Sequence, residues 1–320
     1  MSDAVSPREL SALRAALLNT SGTVPLHDRF RALFTLKSLK NDDAVKIISE
    51  GFADHSALLK HELAYCLGQM KLVSALPVLQ SVLENLDEDP MVRHEAAEAI
   101  GAISSPDFKV VLTKYLADPN RSVRETCEIA LAKIEWDNSE EGRQHLASKE
   151  SSDQTPTYTS IDPAPPSSKL LSGQPKPDDC LNLQSSPSRY RAMFALRNIG
   201  TPAAVDALAA GFSDDSALFK HEIAFVFGQL LSAHSVPSLL NVLQDASESD
   251  MVRHEAAEAL GGIATPEVLP HLKEWMTRED SPRVVRESCQ IAVDMWEYEN
   301  SGQFQYANGL ESVMIEATPA

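Results

Sequence analysis

The sequence predicts an all-α solenoid of helix pairs, built as two pseudo-symmetric halves of about four pairs each and joined by a long flexible linker. The first observation is a duplication, because MVRHEAAEAIG at 91–101 recurs at 251–261 with one difference. The same offset of 160 residues relates 53–70 to 213–230, where ten of 18 positions match. The second observation is a shorter period of 30 to 33 residues inside each half, which is typical of stacked helix pairs.

Four similar segments fill each half at this shorter period. They begin at Arg31, His61, His94 and Arg124 in the first half, and at Arg191, His221, His254 and Arg286 in the second. Within 216–231 the apolar residues recur every three or four positions, which predicts an amphipathic helix.

A polar residue followed by proline marks several expected helix starts, because proline fits the first turn and the preceding side chain caps it. These pairs are Asp89-Pro90, Ser105-Pro106, Thr201-Pro202, Thr265-Pro266 and Ser281-Pro282.

Composition divides the chain into four parts. Residues 1–137 form the first half, 138–186 the linker, 187–300 the second half and 301–320 a loose tail. Seven of the 19 prolines lie between Pro156 and Pro187, in a stretch rich in Ser, Asp and Gln. Such a stretch buries too little apolar surface to offset the entropy lost on ordering, so we expect it to be flexible.

The charge balance argues against several classes of function, and so does the lack of any membrane-spanning or secretory pattern in the sequence. The chain carries 28 Lys and Arg against 46 Asp and Glu, a net charge of −18, which argues against nucleic acid as a partner. No apolar run approaches a membrane span, and the N-terminus has no secretory pattern. We expect a cytoplasmic protein, with the nucleus as a second compartment.

The four widely spaced cysteines predict free thiols rather than disulfides or a zinc site: Cys66, Cys127, Cys180 and Cys289.

The dipeptide His-Glu occurs four times, at equivalent positions of the repeats. The pairs are His61-Glu62, His94-Glu95, His221-Glu222 and His254-Glu255. Equivalent helices of stacked repeats run side by side, so the pairs of each half face one surface, and four imidazoles and four carboxylates converge if the halves meet face to face. Imidazole and carboxylate without thiolate suit iron or manganese. Alternatively, the pairs are exposed charges on a solvated face.

Neighbouring residues leave two interpretations open. A basic residue precedes each pair: Lys60, Arg93, Lys220 and Arg253. These residues either bind the Glu residues at the surface or balance the charge of a carboxylate-rich pocket from outside. Gly68 and Gly228 predict close helix packing, and Gln69 and Gln229 are candidates for a polar role beside the site. The remaining histidines lack counterparts and are expected at the surface: His27, His55, His145, His234 and His271.

The two halves resemble the deoxyhypusine hydroxylase family, because they form two tetrads of HEAT-like repeats that carry KHE, RHE, KHE and RHE. The resemblance covers about 30–136 and 186–298, and RHEAAEA, present in both halves, is its most specific segment. It implies a HEAT-like fold and a non-haem di-iron monooxygenase. Such an enzyme uses molecular oxygen to hydroxylate the deoxyhypusine side chain of translation initiation factor five-A to hypusine.

The resemblance also implies roles for the eight residues. One Fe²⁺ takes His61, His94 and Glu95, and the other takes His221, His254 and Glu255. Glu62 and Glu222 either complete the coordination or bind the cationic amines of the substrate. A site shared by both halves of one chain needs no dimer, so a monomer is expected. The alternatives are a metal-free HEAT-repeat adaptor that binds a basic protein, and a chromophore lyase built from related repeats.

Overall fold

A computed structural model of the chain describes residues 5–150, 158, 160–165 and 186–302. Within these residues the chain forms sixteen α-helices and no strand, which confirms the all-α prediction. The first half contains α1 (Pro7–Leu17), α2 (Leu26–Leu39), α3 (Asp42–Glu50), α4 (Ala57–Met70), α5 (Leu76–Glu84), α6 (Pro90–Ile103), α7 (Lys109–Lys114) and α8 (Arg121–Asp137).

The second half repeats this order. After α9 (Glu140–Glu150) come α10 (Ser186–Ile199), α11 (Pro202–Ala210), α12 (Ala217–Leu230), α13 (Val236–Gln244), α14 (Asp250–Ile263), α15 (Val268–Thr277) and α16 (Arg283–Glu299). None of these helices is both long and apolar enough to cross a membrane.

The helices form two layers in each half. In the first half α2, α4, α6 and α8 pack side by side as the inner layer, and α1, α3, α5 and α7 cover them. In the second half α10, α12, α14 and α16 form the inner layer beneath α11, α13 and α15. The apolar stripes seen in the sequence face the space between the layers, where Leu63, Ile100 and Leu260 are fully buried.

The two halves close on each other at two equivalent junctions. The Ser56 hydroxyl, at the N-terminus of α4, donates to Glu287 of α16 (2.7 Å). The Ser216 hydroxyl, at the N-terminus of α12, donates to Glu125 of α8 (2.5 Å). Arg31 of α2 also pairs with Asp294 of α16 (2.6 Å). The last inner helix of each half therefore docks on the other half, and the eight inner helices form a closed ring.

Only two of the five predicted helix starts at a polar residue followed by proline are found as expected. Asp89 and Thr201 cap α6 and α11 as expected, with the proline at the first helical position. The prediction is wrong for the other three pairs. Ser105-Pro106 opens a 3₁₀ turn, α15 begins two residues after Pro266, and Pro282 itself is the N-cap of α16. A fixed φ near −65° suits all these positions, so proline marks the region and not the first residue.

Part of the predicted linker lies within the described residues. It contains helix α9, which packs on α8, followed by Tyr158 and residues 160–165. Residues 151–157, 159 and 166–185, including Cys180, lie outside the described residues, as does the tail from 303.

Two equivalent glycines offer a matched test of helix packing. A Cβ added at Gly68 of α4 would lie 2.8 Å from Ala99 Cα, whereas one at Gly228 of α12 would lie 3.4 Å from Ala259 Cα. We expect Gly68→Ala to lower the free energy of unfolding by about 1–3 kcal/mol, because α4 and α6 must move apart. Gly228→Ala should be neutral or stabilising, since alanine favours the helix. Denaturant unfolding measures both, and equal losses would contradict this account of the packing.

Candidate metal centre

The four His-Glu pairs lie on inner helices α4, α6, α12 and α14, in the first half of each helix. All eight side chains are buried, and none of the residues is more than 7% exposed. The interpretation as exposed charge pairs is therefore wrong. Burial of these polar groups requires partners, because an unpaired buried charge is costly.

The imidazoles of both halves meet at the centre of the ring. The centroid of His61 lies 5.5 Å from that of His94, 5.8 Å from His221 and 5.1 Å from His254. His221 lies 5.3 Å from His94 and 5.2 Å from His254. The cluster of four imidazoles is thus shared by both halves.

The carboxylates surround the imidazoles with the symmetry of the duplication. Nε2 of His61 lies 3.3 Å from Glu95 Oε2, and Nε2 of His221 lies 3.4 Å from Glu255 Oε2. On the other side of each ring, the Nδ1 atoms lie 3.6 Å from Glu62 and 3.5 Å from Glu222. Each of these two rings is therefore flanked by carboxylates on both sides.

The ring nitrogens fit a metal site. Among the residues that the structure describes, none of the eight nitrogens of His61, His94, His221 and His254 has a hydrogen-bond partner, although all are buried. Buried polar atoms without a hydrogen bond are rare, and imidazole nitrogens of this kind are the donors that a transition metal binds. Three sets of ligand atoms lie within 4.8 Å of one another: His221 with His254 and Glu255, His61 with His94 and His221, and His94 with Glu95 and Glu98.

The pKa values of the four imidazoles shift in two opposite directions. Burial lowers the pKa of His94 and His254 well below its usual value, and the neighbouring imidazoles add to the effect. Burial acts in the same direction on His61 and His221, but the adjacent carboxylates outweigh it. The pKa of His61 therefore lies well above its usual value, and that of His221 rises to about 9.

Two further carboxylates, those of Glu98 and Glu258, were not predicted from the sequence. Both line a cavity that extends from the imidazoles. Glu258 Oε1 lies 3.5 Å from His254 Nδ1 and accepts a hydrogen bond from the Ser288 hydroxyl (3.2 Å). Burial, together with the other carboxylates, raises the pKa of both well above its usual value. The duplication offered the signal, since each is the second Glu of RHEAAEA, one helical turn after its histidine.

Three of the four basic residues beside the pairs bind other carboxylates and the fourth stacks on an aromatic ring, so the interpretation that they bind the paired Glu residues is wrong. The interpretation that they balance the charge of the pocket from outside stays a prediction. Lys60 pairs with Glu88 (2.5 Å) and Lys220 with Glu248 (2.5 Å). Arg93 pairs with buried Asp118, and Arg253 stacks on the ring of Trp275 (4.7 Å). Neighbours on a helix point about 100° apart, which directs these side chains between the repeats rather than into the centre.

A cavity of about 390 Å³ extends from the imidazoles. Its acidic lining includes Glu62, Glu98, Glu222 and Glu258, and its apolar lining includes Phe34, Phe225 and Met295. The cavity therefore suits a ligand that is both cationic and partly apolar.

The other predicted residues lie away from this centre. His55 and His234 are exposed, and His27, His145 and His271 are half-buried, so none joins the four central imidazoles. Cys66, Cys127 and Cys289 are buried free thiols, and burial raises the pKa of each. Gln69 and Gln229 contact the linker residues 160–161 rather than the imidazoles.

The fold and the site define a helical-repeat protein with a centre of imidazoles and carboxylates. The family model for HEAT repeats matches residues 51–132, 81–155 and 205–294, and the PBS lyase HEAT-like repeat matches 188–214. These matches confirm the HEAT-like solenoid.

Curated relatives match over nearly the whole chain. The deoxyhypusine hydroxylase of Lentinula edodes is 67% identical, covering 96% of this chain and 97% of that protein. The enzyme of Rattus norvegicus is 49% identical, covering 96% and 98%. The solved structure of human deoxyhypusine hydroxylase in complex with glycerol superimposes with a TM-score of 0.80 at 45% identity, covering 91% of this chain and 96% of that one. This chain belongs to the deoxyhypusine hydroxylase family.

Proposed function

We propose that this protein hydroxylates the deoxyhypusine side chain of translation initiation factor five-A to hypusine, using two Fe²⁺ ions and molecular oxygen. The observation that carries the proposal is the set of eight buried imidazole nitrogens that make no hydrogen bond to the described residues, at one end of an acidic cavity. Membership of a family of hydroxylases favours this function over a metal-free adaptor.

The eight residues divide into metal ligands and substrate contacts. One iron takes His61, His94 and Glu95, and the other takes His221, His254 and Glu255, so each has two imidazoles and a carboxylate, a set typical of non-haem iron. When bound, the iron pair supplies the oxidant that an unactivated C–H bond requires. The chain itself fixes the ligands on packed helices and keeps them out of bulk water.

The cavity supports a long cationic side chain as substrate. Its carboxylates bind protonated amines through charge-assisted hydrogen bonds, and Phe34, Phe225 and Met295 pack against the methylene stem. Glu62 and Glu222 are assigned to the amines, because both line the cavity and neither belongs to the three convergent ligand sets found among the described residues.

The function is tested on the intact chain purified after iron-replete expression. We expect two irons per chain and, with a chemical reductant that supplies the two electrons needed to convert the second atom of O2 to water, a gain of one oxygen atom on a deoxyhypusine-containing factor, measured by mass spectrometry. The same factor with an unmodified lysine is the control and should gain nothing. Full iron content without any oxygen gain would refute the proposed substrate.

The assignment of Glu62 and Glu222 predicts a separation of two effects. Glu62→Gln and Glu222→Gln should leave the iron content near two per chain. They should weaken substrate binding by about 2–5 kcal/mol, because a buried ammonium loses its carboxylate. Iron content and substrate affinity, measured on the same variants, show whether each residue binds the substrate or the iron. Loss of iron in either variant would make that residue a ligand.

Metal uptake is expected to depend on pH. A ligating histidine must be neutral, yet the pKa of His221 is about 9 in the metal-free protein, so the metal displaces a proton at neutral pH. Affinity for Fe²⁺ should therefore rise from pH 7 to pH 9. Titration of the metal-free protein under argon in dilute buffer should also release protons. Constant affinity over this range, with no proton release, would contradict this titration behaviour.

A further inference from the structure

A short segment of the predicted linker crosses the seam between the two halves. We call Tyr158 and residues 160–165 the strap. The N–H of Ile161 donates to Gln69 Oε1 of the first half (2.9 Å), and Gln229 Nε2 of the second half donates to the Ser160 hydroxyl (2.5 Å). Gln69 and Gln229 are equivalent residues of the duplication, so the strap lies close to the pseudo-twofold axis.

Arg197 of α10 anchors the strap from the second half. Its guanidinium, only 4% exposed, donates to both carboxylate oxygens of Asp162 (2.6 and 2.9 Å) and to Gln229 Oε1 (2.8 Å). It also lies over the ring of Tyr158, 4.2 Å from the centroid. Ala164 is 3% exposed and belongs to the core of the second half. The strap is thus held at several points, by part-buried hydrogen bonds and by the buried side chain of Ala164.

The strap forms part of the cavity that begins at the imidazoles. Tyr158 and Ser160 line this cavity together with Glu62 and Glu222. Gln69 lies eight residues after His61 on the same helix, which corresponds to about 12 Å along the axis. The imidazoles therefore lie at one end of the cavity and the strap at the other.

We infer that the strap positions the substrate, with Tyr158 and Ser160 enclosing the outer part of its side chain. The inference rests on the proposed function and adds residues from the linker to the substrate site. Gln69, Asp162 and Arg197 are positioning residues, because they act by holding the strap. A segment already fixed in this way loses little entropy when the substrate binds, which favours affinity.

Two substitutions loosen the strap without entering the cavity. Neither Gln69 nor Asp162 is among the described residues that line it. Gln69→Ala removes one hydrogen bond and Asp162→Ala removes the ion pair. We expect faster amide hydrogen exchange in a peptide covering 158–165, an unchanged iron content and an unchanged kcat. The KM for the deoxyhypusine-containing factor should rise by about fivefold for Gln69→Ala, the typical effect of one hydrogen bond, and by more for Asp162→Ala.

The matched control is Asp280→Ala, which removes a bidentate pair with Arg278 (3.0 and 2.6 Å) on an exposed loop. It should change neither exchange in the strap nor KM. Tyr158→Ala should raise KM while Tyr158→Phe retains the wild-type value, because the ring and not the hydroxyl encloses the substrate.

Two results would overturn the inference. Unchanged exchange in both variants would mean that these contacts do not hold the strap, and faster exchange with an unchanged KM would mean that the strap does not position the substrate. Absence of turnover in the wild-type protein would instead refute the proposed function, and the wild-type assay reports this separately.

Discussion

His61→Ala and His221→Ala are each expected to lower the iron content well below two per chain and to abolish hydroxylation. Each substitution removes one of the proposed iron ligands from a centre where five imidazole pairs lie between 5.1 and 5.8 Å apart. Loss of an outer partner of a ligand already costs roughly 10–100-fold in metal affinity, so loss of a ligand should cost more. Iron analysis and turnover of the deoxyhypusine-containing factor measure the two effects.

His234→Ala is the matched control for these variants. His234 is exposed, contacts Asp206 (2.7 Å) and is not among the described residues that line the central cavity. This variant should keep wild-type iron and activity. Wild-type iron content in both His61→Ala and His221→Ala would refute the di-iron assignment.

Asp118→Ala is expected to lower the free energy of unfolding by about 3–5 kcal/mol, because it leaves the charge of Arg93 buried without its carboxylate. The Asp118 side chain is fully buried and that of Arg93 is 3% exposed. Arg93 donates to both oxygens of Asp118 (3.2 and 2.6 Å) and to the carbonyl of Leu83 (3.0 Å). Denaturant unfolding of the intact protein measures the loss.

The exposed pair of Arg278 and Asp280 provides the comparison. Asp280→Ala should change the free energy of unfolding by less than about 1 kcal/mol, because water solvates the remaining guanidinium. Equal effects of Asp118→Ala and Asp280→Ala would show that burial of the Arg93 pair does not determine its contribution.

The duplication made most of the centre predictable. His94 and His254 occupy the same place in an 11-residue segment that differs at one position, so the sequence itself reports which side chains share a structural role. The inner helices could also be placed, because their apolar residues recur at helical spacing. Helix starts such as that of α15 were less predictable, since proline is compatible with several positions near a helix terminus.

Features that depend on long-range packing were not predictable. The carboxylate that pairs with Arg93 lies 25 residues away at Asp118, whereas the equivalent Arg253 stacks on Trp275 instead. The strap is hydrogen-bonded to Gln69 and Arg197, which lie outside the linker. Local composition describes only the entropy that a segment loses, and the partners that compensate for this loss are supplied by distant parts of the chain.

The junctions of Ser56 with Glu287 and of Ser216 with Glu125 have a consequence for how the protein unfolds. In an open repeat array each unit contacts only its neighbours, so the terminal units fray first and stability is lost stepwise. Here the last inner helix of each half has a second neighbour in the other half, and the array has no free end within its inner layer. If one junction opens, we expect the buried imidazoles and carboxylates of both halves to become exposed to water together. The two halves should therefore unfold in a single cooperative transition, in contrast to the gradual melting of a linear solenoid.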